Sequence, residues 1–392
     1  MGIYLDHAAT TPMSPAAREA LVAQMSQVGN ASSLHAFGRG VRKEVEQARE
    51  SIATIACAHP TEIIFTASGT EANNLAIKGF YWKSIERDPS KNIIVVAAFE
   101  HHAILEPVVW LEEHEGAAVI YIPIKPEGVI DLDALAQIIE TESEHIAVIA
   151  VMHSNNEIGT IQPIAEIVEL AGGIPVHTDA VQSFGKVDFD FAVLGVRSAV
   201  ISAHKIGGPL GVAALILEHG IDITPLLHGG GQERDIRSGT INAPSIVAFA
   251  AAAQSAAVDR VSNFERTWKL RESLKERILR AEPDATFNGR SEIMLPGILN
   301  VTFPNTESDS LLLLLDNAGI AASTGSACSA GVQRASHVLI SLGLTEAQAR
   351  SSIRFSLGSS TTQAEIDEVG SKIGSVVESA RAAFSVGAGA KS

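Results

Sequence analysis

Seven runs of apolar, β-favouring residues, with amphipathic helical segments between most of them, limit this chain to few folds. They are EIIFTAS at 62–68, NIIVVAA at 92–98, AVIYIPI at 118–124, AVIAVMH at 147–153, GIPVHTDA at 173–180, SAVISAH at 198–204 and VAALIL at 212–217. A strand with one face in water alternates apolar and polar residues, whereas these runs are apolar nearly throughout. We therefore read all seven as buried strands. With helical crossovers they imply an α/β fold: a mostly parallel seven-stranded sheet covered by helices on both faces. Ligands of such sheets bind beyond the carboxyl ends of the strands, so the residues just after each run are the functional candidates.

From about residue 255 a long charged helical stretch, containing NFERTWKLRESLKERIL, breaks the rhythm, and shorter strands such as ILNVTF and SIRFSLG follow. This reads as a smaller α+β domain. We expect residues 15–254 to form the large domain, and 1–14 with 255–392 the small one. A chain of 392 residues, 46% hydrophobic, can bury cores of that size. Its 29 basic against 45 acidic residues give a net charge of −16. No run of Lys and Arg offers a footprint for a phosphate backbone, so direct nucleic-acid binding is not expected. No secretory signal is evident and no apolar run approaches the ~18 residues of a spanning helix, so we expect no membrane partner and a cytoplasmic protein.

Two cysteines make neither a disulfide framework nor a zinc cluster. Cys57, in the helical ESIATIACAHP, reads as a small buried hydrophobe. Cys328 sits in GSACSAG at 325–331, among tiny and polar residues without periodicity. That setting suits a reactive, reduced thiol better than a packed one.

The strand ends carry a coherent polar set. SGTEANN follows the first run: Gly69 permits close approach of the backbone, and Thr70 sits where a helix would begin, with free N–H groups that attract anions. The bland alternative is a simple helix cap. His101 follows the second run, where a capping or packing histidine is equally ordinary. The fifth run ends in HTDAVQS, which puts Asp179 at the strand's mouth with Gln182 one turn on, and a helix cap would also explain that aspartate. The sixth run ends in SAHKIGGPLG, which Ser202, His204 and Lys205 open. A lysine separated only by His204 from six small or apolar residues is hard to read as a solvated charge.

Together these groups fit pyridoxal phosphate. That cofactor needs a lysine for its covalent linkage, a carboxylate to keep its ring nitrogen protonated, donors for its phosphate, and a group against the ring face. Lys205, Asp179, Thr70 with Ser202 and His204, and His101 supply one part each. Each motif alone is weak, and their joint occurrence at strand ends is the signal.

In their order along the chain, LDHAATTP, SGTEANN, EHHA, MHSNNEIG, HTDAVQS, SAHKIGGP, GGGQERDIRSGT, GSACSAG and SSIRFSLG resemble the NifS/IscS-like cysteine desulfurases. These belong to the class V group of fold-type I pyridoxal-phosphate enzymes, and the resemblance runs from about residue 3 to 370. It implies that Lys205 holds the cofactor, His101 stacks on its ring, and Asp179 and Gln182 contact the ring nitrogen and phenolic oxygen. Asn155 would lie near that oxygen and the substrate. Gly69, Thr70, Ser202 and His204 would hold the phosphate, with Thr240 reaching the phosphate of a neighbouring subunit in a homodimer. Arg354 would grip the carboxylate of the substrate, L-cysteine.

The resemblance also assigns Cys328. Lys205, displaced from the cofactor by L-cysteine, would remove the Cα proton, His101 would shuttle a proton, and the Cys328 thiolate would take the sulfur as a persulfide, leaving L-alanine. Sulfur would pass on to an acceptor protein such as an iron–sulfur scaffold or a tRNA-thiolation enzyme. No resident metal is implied, with Cys328 available as a transient iron–sulfur ligand. Where the family reads HKxYGPKG this chain has Gly207 and Leu210, and Ala335 stands where the longer-loop group has proline.

Three rivals stay open at this point. A class V aminotransferase would share Lys205 and Asp179 but needs no Cys328. A selenocysteine lyase would use nearly the same residues. A non-enzymatic sulfur relay or docking protein would keep the thiol without a reason to keep the lysine, aspartate and phosphate donors together.

Overall fold

The computed structural model describes residues 2–289, 292–325 and 335–389, the last four as backbone only. In chain order the described elements begin with β1 (Ile3–Tyr4), α1 (Pro15–Met25), α2 (Ala36–Ala56), β2 (Ile63–Thr66) and α3 (Gly69–Arg87). There follow β3 (Ile93–Ala97), α4 (His102–Glu115), β4 (Ala118–Ile122), α5 (Leu132–Glu142), β5 (Ile146–Ala150) and α6 (Ile164–Ala171). Next come β6 (Val176–Asp179), α7 (Phe191–Leu194), β7 (Ser198–Ser202), β8 (Ala213–Leu217) and the 39-residue α8 (Ala243–Ala281). The chain then forms β9 (Thr286–Asn288), β10 (Ile298–Thr302), α9 (Ser308–Asn317), β11 (Ile320–Ala321), α10 (His337–Ser341), α11 (Glu346–Ala349), β12 (Ser352–Ser356) and α12 (Gln363–Gly389).

The seven expected strands make one sheet, in the order β2-β8-β7-β6-β5-β3-β4. Strands β3 to β7 pair in parallel, and β8 is antiparallel to both its neighbours. The ten residues between β7 and β8 are too few for a helical crossover, so the chain must return antiparallel. Burial of both faces is visible residue by residue. Ile93, Val95 and Ala97 of β3 enter one apolar cluster, and Ile94 and Val96 enter another on the opposite face. Strand β4 departs from expectation: it is an edge strand in which only Ile122 is buried, and Tyr121 is 45% exposed. With a neighbour on one side only, its faces are incompletely covered.

A separate core is built on β12-β10-β9, antiparallel, and on the parallel pair β1-β11. Leu5, Val301, Phe303, Ile353 and Leu274 are fully buried there. The N-terminal segment thus packs with the last third of the chain. Helix α8 serves both cores, with Ile246 and Phe249 in the large-sheet cluster and Leu270 and Leu274 in the other. The division expected at residue 254 therefore falls inside a continuous helix.

Cys57 is not the buried hydrophobe the sequence suggested. The helical repeat of α2 stops at Ala56, and Cys57 takes the left-handed cap position at φ 53°, exposed to solvent. Partial desolvation, then the hydrogen bond and charge of Asp190, hold its thiol pKa above the usual range.

Candidate active site

Strand ends bring the polar set together because β2, β3, β6 and β7 all finish at the same edge of the sheet. One cavity of about 380 Å³ opens there. At one end are Gly69, Thr70, Ser202 and His204. Helix α3 starts immediately after β2, and Ser68 caps it by accepting the Glu71 N–H at 3.1 Å. The amides of Gly69 and Thr70, at the first two helical positions, have no carbonyl one turn earlier to bind. They are ready donors for an anion. A Cβ at 69 would stand 3.2 Å from Val181 Cγ2, so that side chain would have to give by a few tenths of an ångström. Burial, then the charges of Lys205 and Lys186, push the pKa of His204 down to about 4, so its ring is neutral and carries one N–H.

Asp179 ends β6 and lines the same cavity. Its Oδ1 accepts from the Val181 amide at 2.9 Å and its Oδ2 from Asn73 Nδ2 at 2.7 Å. Behind Asn73 stands the fully buried His177, 3.0 Å from Asn73 Oδ1 and 2.7 Å from Ser198 Oγ. Burial drives the His177 pKa to about 3, so this row carries no competing positive charge. Opposite, His101 does both things the sequence allowed. Its Nδ1 caps α4 by accepting the Ala103 N–H at 3.0 Å, and its ring lines the cavity. The cap fixes the tautomer of the neutral ring, leaving the proton on Nε2. Burial is the main cause of its lowered pKa.

Lys205 follows β7 in a short 3-10 turn. Its Nζ donates to the carbonyls of Ala8 and Ala9 at 2.6 and 2.8 Å. Burial and then the Arg354 charge lower its pKa to about 8, against the pull of Asp179 and Asp6. An amine that deprotonates so near neutrality is a usable nucleophile and base. Arg354 enters from β12, in the other core. Its Nη2 pairs with Asp6 at 2.8 Å and its Nη1 donates to the Asn156 carbonyl at 3.0 Å. The Nε–H is buried without an acceptor among the described residues. Such a donor beside a cavity fits an incoming carboxylate.

The family model described as "Aminotransferase class-V" matches residues 3–369. An IscS-like cysteine desulfurase of Mycobacterium tuberculosis is 47% identical over 390 residues, covering 99% of each chain. The chain belongs to the class V aminotransferases, among the NifS/IscS-like cysteine desulfurases. Among solved structures, one titled "NIFS-LIKE PROTEIN" superposes with a TM-score of 0.89 at 34% identity, covering 96% of this chain and all of that one. Another, titled "SspA in complex with cysteine", has a TM-score of 0.78 at 34% identity and covers 91% of this chain and 99% of that one. Class V aminotransferase membership makes the chain an enzyme and implies pyridoxal phosphate as its cofactor. The donor set fits that group: an anion cradle, a carboxylate, a ring face and a lysine amine surround one cavity.

Not every expected desulfurase residue reaches the cavity. Asn155 is fully buried behind the wall: its Oδ1 accepts from the Glu157 and Ile158 amides, its Nδ2 binds the Phe99 carbonyl, and Asn156 lines the cavity instead. Thr240 is exposed on a loop away from the lining. Cys328 lies outside the described residues. Gly207, where the family has tyrosine, adopts φ +82°, a conformation glycine takes without strain.

Sequence reasoning missed Asp6, Asn73, Glu157 and Lys186. Glu157 lines the cavity, and burial raises its pKa to about 7, against the Ser336 hydrogen bond of 2.5 Å and the Arg354 charge. All four except Lys186 lie inside quoted motifs, but nothing local marks them. Among the described residues no His, Cys, Asp and Glu cluster could hold a metal, and no helix is long and apolar enough to cross a membrane.

Proposed function

We propose that the chain converts L-cysteine to L-alanine and delivers the sulfur to Cys328 as a persulfide, with pyridoxal phosphate carried on Lys205. The observation that carries this reading is the meeting, in one cavity, of a lysine amine with a pKa near 8 and an arginine with a buried N–H that finds no acceptor among the described residues. The relative whose title places cysteine in its structure supports the substrate.

Gly69, Thr70, Ser202 and His204 would hold the phosphate, Asp179 the ring nitrogen, Gln182 the phenolic oxygen and His101 the ring face. When bound, the cofactor supplies an electron sink for the pair left at the substrate Cα. Arg354 would orient the substrate by its carboxylate, Lys205 would take and return the Cα proton, and the Nε2 proton of His101 would move to or from the substrate. At Cys328 an S–S bond forms as the substrate's Cβ–S bond breaks; the carbon keeps that electron pair and takes a proton, giving alanine. Asn155, behind the wall, would act by holding the turn that presents Asn156. Thr240 would complete the phosphate site of a second subunit, and an acceptor protein serving iron–sulfur assembly or tRNA thiolation would collect the sulfur. The large and small domains would divide within α8, in a cytoplasmic protein.

The test is Cys328→Ser. It should bind the cofactor and form its spectral adduct with L-cysteine, yet release no alanine, because a hydroxyl is a far poorer nucleophile toward sulfur. Lys205→Ala should instead lose the borohydride-reducible cofactor band. Undiminished alanine formation by Cys328→Ser would overturn the persulfide route.

A further inference from the structure

A second cavity, of about 510 Å³, lies between the two cores and shares Ala8, Gln182 and Lys205 with the first. Lys186 lines this second cavity. Its Nζ donates to Gln182 Oε1 at 3.2 Å. Burial, then the charges of Lys205 and Arg354, lower its pKa to about 7, so it is an ammonium below that pH. A half-buried ammonium with no carboxylate in ion-pair contact among the described residues is a poor stabiliser of a fold. Among the described residues, Gln182 is the one side chain that the Lys186 Nζ bonds.

That contact has a consequence for the amide. An ammonium only donates, so the atom it meets is Oε1; the Ala8 carbonyl only accepts, and it meets Nε2 at 2.9 Å. Gln182 is gripped from both ends, with one amide N–H left over. The residue also lines the cofactor cavity. A cation on Oε1 withdraws electrons from the amide and strengthens that remaining donor.

We infer that Lys186 is a positioning residue, which clamps and polarises Gln182 so that its free amide N–H is held toward the phenolic oxygen of the cofactor. This rests on the reading of Gln182 given above. Among the described residues, His7 from the N-terminal segment, His204 and Lys205 after β7, Arg354 on β12, and Asp259 and Arg260 of α8 are the titratable or charged groups around Lys186 or on its cavity wall, and all remain in a Lys186→Met variant.

The experiment uses the full chain loaded with pyridoxal phosphate and reads the pH midpoint of its visible absorption change, alongside cofactor affinity. A weaker donor leaves the phenolic oxygen more basic, so Lys186→Met should raise the midpoint by about 0.5–1 pH unit and weaken cofactor binding. Lys186→Arg should recover most of the shift, and in a Gln182→Ala background Lys186→Met should add none. Should Lys186→Met not fold, Lys186→Gln carries the same expectation. An unshifted midpoint, or an equal shift without Gln182, overturns the inference and leaves the cofactor reading intact. A wild-type protein that takes up no cofactor overturns both.

Discussion

Two arginines, Arg49 and Arg354, are each buried against a carboxylate, and they differ in what is left unbonded. Arg49 of α2 meets both oxygens of Glu233 at 2.8 Å, donates to the Ile63 carbonyl at 2.6 Å and to Glu46 at 3.1 Å, and covers the Phe65 ring. Glu233 also accepts the Phe65 amide at 2.9 Å. Nothing there awaits a ligand, and the pair anchors the 228–241 loop, which carries Thr240, to the large sheet. Among the described residues Arg354 has Asp6 and one carbonyl, and its Nε–H has no acceptor. Polar saturation marks a structural joint, and a deficit at a cavity wall marks a binding group.

Breaking the saturated joint should have the largest effect on stability. Glu233→Ala strands a buried guanidinium and should cost about 3–5 kcal/mol in denaturant unfolding, without a change in KM for L-cysteine once cofactor is saturating. If KM for L-cysteine rose instead, the two arginines would not be the separate cases drawn here. Next, Arg354→Lys keeps the charge and loses the fork, a deficit of about 1.5–3 kcal/mol per charge-assisted bond, so KM should climb roughly 10- to 100-fold. Arg49→Lys should leave KM alone.

Glu157 stands on the deficit side and should write its burial into the pH dependence. Its folded pKa of about 7 exceeds the ordinary 4.5, so the folded state holds the proton more tightly. Its contribution is complete below pH 4.5 and is lost as pH rises through 7, because the unfolded chain gives up its proton first. Unfolding midpoints of the cofactor-free protein, compared across that window, should fall more for wild type than for Glu157→Gln. A parallel fall in both would place the titration elsewhere. The smallest effect belongs to Cys57→Ser: an exposed cap residue should shift stability by less than about 0.5 kcal/mol and leave alanine formation unchanged.

The large sheet was legible because doubly covered strands must be apolar on both faces, as β3 is. Its edge was not, since AVIYIPI has the composition of a buried strand and only its position at the rim exposes Tyr121. Strands of two or three residues, β1, β9 and β11, leave no periodic trace. At the site, residues that follow strands directly could be found, because their chemistry is out of place after an apolar run. Arg354 emerged only through family resemblance, and its pairing with Asp6 joins positions 348 residues apart. No local pattern encodes such a pair. Cys57 was misjudged because a helix end and a helix interior read alike until the backbone turns left-handed.

Helix α8 makes the molecule harder to take apart than its two cores suggest. At 39 residues it is a rod of about 58 Å, with Phe249 pinned in one core and Leu274 in the other. Severing it at residue 254 would strip four carbonyls and four N–H groups of their partners in the middle of the rod. Recombining this chain with a relative should therefore succeed at junctions in the loops flanking the rod, 218–242 or 282–285, and fail within it.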